Sequence, residues 1–204
     1  SRAFYRDLLE SVRGMAGVRS AATARSVPMG FSHSMRTIFL EGEGDLGEDE
    51  KERQGSLYNQ VSPDYFDTMG ISLFEGRPIE KRDDASSRLV AVVNRKMAET
   101  FWPNQSPVGK RFSTEGPGGP FIEVVGVAEN GFYLIPGESY RPMVFVPVKQ
   151  EHRAEQILFV HAAAEPTSLV SALRSEIRRL DADMPIYDVR TLESHVKEGK
   201  AEIL

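Results

Sequence analysis

The stretch "RLVAVVNRKMAETFWP", residues 88–103, places a buried strand directly before a short helix. Residues 88–94 form an almost unbroken apolar run, which is typical of a strand covered on both faces. Asn94 can cap the following helix, in which Met97 and Phe101 share one face at a spacing of i and i+4. The helix ends at Trp102, because a residue before proline is pushed out of helical geometry. This stretch predicts a strand-helix unit at the centre of the chain.

Further strands are expected on both sides of this unit. Downstream, residues 109–114 and 121–130 read as two strands joined by the glycine-proline loop "EGPGGP", and residues 143–149 as a third. Upstream, an apolar stripe at helical spacing predicts an amphipathic helix over residues 3–15. The segment 18–27 suits a strand, and alternation with β-branched or aromatic content predicts further strands at 35–42 and 56–62.

The last third of the chain has a strand-helix-strand pattern. Residues 157–164 read as a strand, and Pro166 lies where a helix begins. The apolar stripe of that helix consists of Leu169, Leu173, Ile177 and Leu180. A second strand is predicted at 185–192, and Thr191 can cap a terminal helix that continues through Val196. If the two strands are parallel, their crossover is expected to be right-handed.

This order of elements predicts an α+β protein of two lobes. Residues 1–62 and 151–204 form one lobe from β-α-β elements, and residues 63–150 form a smaller, strand-rich lobe inserted into it. At 204 residues the chain is long enough for both lobes to bury a core.

The stretch "VSPDYFDTMG", residues 61–70, has two aspartates that raise the question of catalysis. Ser62 can cap a helix, Pro63 suits its first position, and Asp64 suits its first turn. Gly70 suits the left-handed position that closes a helix. Only Asp67 has no structural role, and one aspartate is not an acid-base pair. We interpret the stretch as a structural helix.

Composition and motifs argue against an enzyme and against a cofactor or metal site. A net charge of −5 without a clustered basic face disfavours nucleic acid, and the absence of cysteine excludes thiol catalysis and zinc-thiolate sites. The chain lacks a G-x-x-x-x-G-K-[ST] loop, a G-x-S-x-G elbow and histidines paired on one helix face. The acidic stretch 41–55 does not match a calcium loop, so we predict a solvated loop there. No apolar run approaches the ~18 residues of a membrane span.

The connection "GFYLIPGESYRP", residues 131–142, is the candidate partner-binding segment. Five large apolar residues lie in this proline- and glycine-punctuated stretch: Phe132, Tyr133, Leu134, Ile135 and Tyr140. Exposed aromatic side chains in a loop are typical of interface anchors. The alternative is that they fold back and cover the inserted lobe, and the sequence leaves both open.

Five segments in register resemble one protein family. They are "VSPDYFDTMGISLFEGRPI", "VAVVNRKMAETFWPNQSPVGKRF", "IEVVGVAEN", "RPMVFVPV" and "LVSALRSEIRRLDADMPIYDVRTL". Together they resemble the MacB-like periplasmic core domain of ABC transporter permeases of the MacB/FtsX type. Among these, the resemblance is strongest to the large permeases known as acidobacterial duplicated orphan permeases.

The resemblance implies a non-catalytic domain outside the inner membrane, between the first two transmembrane helices of a permease. Its lobes would be a Porter lobe (1–62 and 151–204) and an inserted Sabre lobe (63–150). Movement driven by a separate ABC ATPase would pass through it, by mechanotransmission, to a peptide, lipoprotein, adaptor or cell-wall enzyme. The chain would then be an excised ectodomain of a membrane-anchored protein that works as a homodimer.

Two alternatives stay open. The first is a free-standing periplasmic binding or adaptor module with the same fold. The second is a hydrolase that uses Asp64, Asp67 or a histidine, for which a pocket with two titratable groups within hydrogen-bond reach is required.

Overall fold

A computed structural model describes residues 2–30, 33–42, 55–134, 139–151 and 155–201. Most of the predicted acidic loop at 41–55 lies outside these residues. The strands are β1 (Val18–Ala24), β2 (Ser34–Thr37), β3 (Phe39–Leu40), β4 (Gly55–Val61), β5 (Leu73–Gly76), β6 (Val90–Asn94), β7 (Arg111–Ser113), β8 (Ile122–Ala128), β9 (Met143–Pro147) and β10 (Ile157–Ala162). The helices are α1 (Arg2–Arg13), α2 (Tyr65–Met69), α3 (Arg95–Phe101), α4 (Val170–Leu180) and α5 (Leu192–Ala201), and a 3-10 turn (Pro166–Leu169) leads into α4.

The strands form one mixed sheet. Hydrogen-bonded neighbours follow the order β10-β1-β4-β9-β6-β8-β7-β3, with β2 paired to β4 and β5 paired to β8. The β4–β9 and β6–β8 pairs are parallel, and the other pairs are antiparallel. With several helices on this sheet, the predicted α+β class is confirmed.

Part of the sheet closes into a ring. Residues 34–40 pair with β4 through β2 and with β7 through β3, where Leu40 lies opposite Phe112. Because β2 and β3 are almost continuous, they join the first and last strands of the path β4-β9-β6-β8-β7. Ile38, between β2 and β3, is fully buried. We call these strands the ring.

The ring buries one apolar cluster on each of its faces. The inner core contains Ala91, Val93, Phe112, Val124 and Val144. Met97 and Phe101 of α3, and Trp102 directly after it, also belong to this core. The outer core contains Leu57, Val92, Met143 and Phe145 and is covered by Tyr65 and Phe66 of α2. Alternate residues of β6 and β9 thus face opposite cores, as expected for strands buried on both faces.

Close backbone packing of β5 on β8 depends on glycine. Gly76 has a φ of 72°, and a Cβ atom there would overlap the Val125 carbonyl. A Cβ on Gly126 would overlap the carbonyl oxygen of Arg77. The register between β6 and β8 shifts between Val124 and Gly126, which leaves Val125 as a bulged residue that faces the outer core.

Two long helices pack on a second part of the sheet. α1 and α4 pack on one face of β1 and β10, where Leu8, Val12 and Ala21 meet Leu173 and Ile177. We call α1, β1, β10 and α4 the helical block. Its backbone joins the ring over a short seam, in which Ala24 and Val61 form the one register pair of β1 with β4.

One predicted strand is wrong. Residues 185–191 form no strand, and α5 begins at Leu192. Tyr187 is 80% exposed, and Asp188 has a φ of 54°, which interrupts an extended run. A strand needs a neighbouring edge, and these residues pair with none among the described strands. The predicted cap is confirmed, because the Thr191 hydroxyl accepts a 3.1 Å hydrogen bond from the Ser194 amide.

The predicted start of the helix in "VSPDYFDTMG" is also wrong. α2 begins at Tyr65, and the Ser62 hydroxyl instead accepts a 2.9 Å bond from the Thr23 amide across the seam. Asp64 lies at the N-cap without a capping bond, and its carboxylate binds Arg13. The left-handed Gly70 is confirmed, with a φ of 66°.

The boundaries of the two predicted lobes stay a prediction. The segments 1–62 and 151–204 supply the helical block, and 63–150 supplies most of the ring. Residues 34–40, however, pair both with β4 and with β7, so strands of both predicted lobes meet in one sheet.

Candidate partner-binding surface

The structure describes four of the five apolar residues of the 131–142 connection and places them in different environments. Tyr133 is 4% exposed, and Leu134 packs against the outer core. Phe132 and Tyr140 are 37% and 45% exposed, and their rings stack with centroids 5.2 Å apart. We call Phe132 and Tyr140 the aromatic pair. Ile135 lies outside the described residues.

Tyr133 anchors the first arm of the connection. Its ring packs edge-on against Phe145 at 6.2 Å, and its carbonyl oxygen accepts a 2.6 Å hydrogen bond from the Met29 amide. Burial raises the pKa of the Tyr133 hydroxyl, and a hydrogen bond with the Asn94 side chain lowers it by a smaller amount. The hydroxyl is therefore neutral at physiological pH, and Tyr133 acts as an apolar anchor with one polar contact.

Asn94 fixes the second arm. Its Oδ1 accepts 2.9 Å hydrogen bonds from the amides of Met97 and Met143, so the predicted cap of α3 is confirmed. Its Nδ2 donates a 2.8 Å bond to the carbonyl oxygen of Arg141, next to Tyr140. Because Asn94 is fully buried and also contacts Tyr133, it holds both arms of the connection.

A second aromatic contact lies near the start of α3. Phe74 is 58% exposed, and the Arg95 guanidinium lies 4.6 Å from its ring centroid. Arg95 also lies 3.7 Å from the Glu129 carboxylate, and the Lys96 amide donates to Asn130. This region offers aromatic faces and an arginine, which suit binding of another surface.

The aspartates of the hydrolase hypothesis line an open cleft. It has a volume of about 470 Å³ and lies between α2 and residues 78–81. Asp64 and Asp67 both border it, but Asp64 is engaged by Arg13. Within the described ranges, no three His, Asp or Glu side chains are close enough to hold a metal ion.

None of the described histidines, which are His33, His161 and His195, lines this cleft. His195 lies 3.1 Å from the carbonyl oxygen of Pro28, and His161 lies on β10. His152 is outside the described residues. The structure therefore brings aromatic side chains together at the connection, and it brings Asp64 and Asp67 together at the cleft without a described histidine.

Sequence reasoning missed two features of this surface. Asn94 was predicted only as a helix cap, because its bond to Arg141 spans 47 residues. The exposure of Phe74 could have been predicted, because Phe74 follows Leu73 in a strand and successive side chains of a strand point to opposite faces of the sheet. None of the described helices is both long and apolar enough to cross a membrane.

The mixed sheet and its helices define an α+β domain, and comparison with known proteins gives its family. The model of the MacB-like periplasmic core domain matches residues 6–180, so the chain belongs to that family. It is a periplasmic or extracellular domain of the MacB type of ABC permease. The narrower resemblance to acidobacterial permeases stays a prediction.

Solved structures have the same fold. The periplasmic region of MacB from Actinobacillus actinomycetemcomitans matches with a TM-score of 0.61 at 14% identity, over 86% of this chain and 73% of that one. The extracellular domain of the ABC-type transporter YknZ from Gram-positive bacteria gives 0.56 at 18%, over 87% and 81%. A permease domain from Porphyromonas gingivalis gives 0.55 at 15%, over 94% and 88%. No curated protein matches this chain.

Proposed function

We propose that this domain relays ATP-driven movement of a membrane permease to a partner or cargo outside the inner membrane. The observation that supports it best is the aromatic pair, which is exposed although both arms that carry it are fixed to the buried core. A surface that pushes or pulls a partner must keep its position on the domain. Tyr133 and Asn94 provide that rigidity.

Membership of the family supports the proposed assembly with an ATPase and a membrane. An ABC ATPase acts through the transmembrane part of the permease, and the domain faces the periplasm or the extracellular side. Phe132 and Tyr140, backed by Tyr133 and Leu134, form the contact for an adaptor, lipoprotein or peptide cargo. Ile135 belongs to the same connection by sequence. The full permease works as a homodimer, and the domain divides into a Porter-like lobe (1–62 and 151–204) and a Sabre-like lobe (63–150).

The test uses the full-length product of the gene that encodes this chain, reconstituted with its ATPase in lipid bilayers. This chain has no cysteine. Any cysteine elsewhere in the full-length product is replaced by serine, so that a single introduced thiol can be labelled. Ser139→Cys places a donor dye beside Tyr140 at an exposed position, and acceptor dyes are placed in the lipid. We expect the efficiency of energy transfer to change when ATP is added and to return to its starting value when the ATP has been consumed.

The outcomes separate the hypotheses. Energy transfer that does not respond to ATP would show a membrane-anchored domain that relays no movement, and would refute the proposal. The absence of transfer would favour a free-standing module. Ser171→Cys, at an exposed position on α4, is the matched control. It shows whether the protein accepts the label and whether the bilayer is present.

A further inference from the structure

Four aromatic rings connect the helical block to the candidate surface. Phe159 on β10 lies 5.8 Å from Tyr65 of α2, measured between ring centroids. Tyr65 lies 5.9 Å from Phe145 of β9, and Phe145 lies 6.2 Å from Tyr133. We call Phe159, Tyr65, Phe145 and Tyr133 the aromatic column.

The column lies where few backbone pairs join the helical block to the ring. β1 and β4 share one register pair, whereas β1 and β10 share six and β4 and β9 share five. Two further backbone bonds reinforce the seam, from the Arg25 amide to Gln60 and from the Ser62 amide to Thr23. The side chains of the column therefore add a second connection between the helical block and the ring.

The two middle rings of the column are buried and packed against a third ring. Phe145 and Tyr65 are 0% and 1% exposed, and Phe66 packs against both at 5.2 and 5.8 Å. Close-packed interiors transmit displacement because their side chains cannot move independently. Burial also raises the pKa of the Tyr65 hydroxyl, so no charge forms in the column at physiological pH.

The column ends at the aromatic pair. Tyr133 is adjacent in sequence to Phe132, and the Asn94 side chain contacts both Tyr133 and the Arg141 carbonyl beside Tyr140. We infer that the aromatic column couples the position of β10 to that of the aromatic pair. The direction of transmission rests on the proposed function, whereas the coupling itself is a property of this chain alone.

The test reads the tyrosines by fluorine NMR. The chain has six, namely Tyr5, Tyr58, Tyr65, Tyr133, Tyr140 and Tyr187. Incorporation of 3-fluorotyrosine gives each a resonance, which Tyr→Phe variants assign. Phe159→Leu removes the ring at the far end of the column. We expect the resonances of Tyr65, Tyr133 and Tyr140 to shift by more than their linewidths, and that of the exposed Tyr187 to stay in place.

A neighbouring residue provides the matched control. Val160 follows Phe159 on β10 but packs in the cluster of α1 and α4. Val160→Ala is expected to leave Tyr133 and Tyr140 unchanged. If Phe159→Leu does not fold, Phe159→Met is measured in the same way.

Two results would overturn the inference. In the first, the Phe159 variant shifts Tyr65 but leaves Tyr133 and Tyr140 within their linewidths. In the second, Val160→Ala shifts them as strongly as the Phe159 variant does. Neither result depends on ATP or on the membrane, so a failure here is distinct from a failure of the proposed function.

Discussion

Replacement of Asn94 by alanine tests whether this side chain holds the candidate surface to the core. Loss of an N-cap costs about 1 kcal/mol of unfolding free energy. The variant also leaves the amide of Met143, a residue that is 1% exposed, without its acceptor, and an unsatisfied buried amide costs about 1–3 kcal/mol. The expected loss is about 3 kcal/mol, a large fraction of the ~5–15 kcal/mol that stabilises a typical domain.

Urea unfolding measures this loss. Trp102 is the single tryptophan and is buried near Phe112 in the inner core, so its fluorescence reports unfolding of the ring. Asn130→Ala is the matched control, because Asn130 also accepts a bond from an α3 amide, that of Lys96. We expect the control to lose about 1 kcal/mol. A loss for Asn94→Ala no greater than that of the control would refute the role of Asn94.

Two further changes test packing and charge. Gly126→Ala would press a methyl group onto the Arg77 carbonyl and is expected to cost about 2–3 kcal/mol by urea unfolding. Gly118→Ala enters open space and should be neutral. Hydrogen bonds from Arg179 and, to a smaller extent, from Ser11 lower the pKa of Glu176 from 4.5 to about 2. Glu176 therefore stabilises the fold above pH 4.5, and this contribution is lost as the pH falls towards 2. At pH 6, Glu176→Gln should unfold at a lower urea concentration than wild type, and at pH 2 the two proteins should unfold at the same urea concentration. An equal difference between them at both pH values would contradict the ion pair.

Local signals predicted the centre of the fold. The apolar run before Asn94, the cap and the apolar face of α3 all lie within fourteen consecutive residues (88–101), and the structure has them as expected. The position of Gly70 at the end of α2 could be predicted from the sequence, because its left-handed conformation depends on its immediate neighbours. Such features need no knowledge of distant parts of the chain.

Long-range partners account for the errors. Ser62 has the chemistry of a cap, but its hydroxyl bonds to Thr23, 39 residues away. Residues 185–191 have the composition of a strand, yet pairing depends on a free edge elsewhere. The split of 34–40 between β4 and β7 depends in the same way on how the ring closes.

The candidate site was partly readable. The aromatic content of 131–142 drew attention to the connection, and Phe132 and Tyr140 are exposed there. The burial of Tyr133 could not be predicted from the sequence, because it depends on contacts with Phe145 of β9 and with Asn94. The contact with a partner stays a prediction.

The most direct test of the relay is the distance between two labels within one chain during the ATP cycle. Ser139→Cys and Ser171→Cys place spin labels beside Tyr140 and on α4 of the full-length permease, diluted with unlabelled protein. We expect this distance to stay constant with and without ATP, while energy transfer from position 139 to the bilayer changes. A distance that changes with ATP while the transfer stays constant would show that the domain flexes internally and does not carry movement outward.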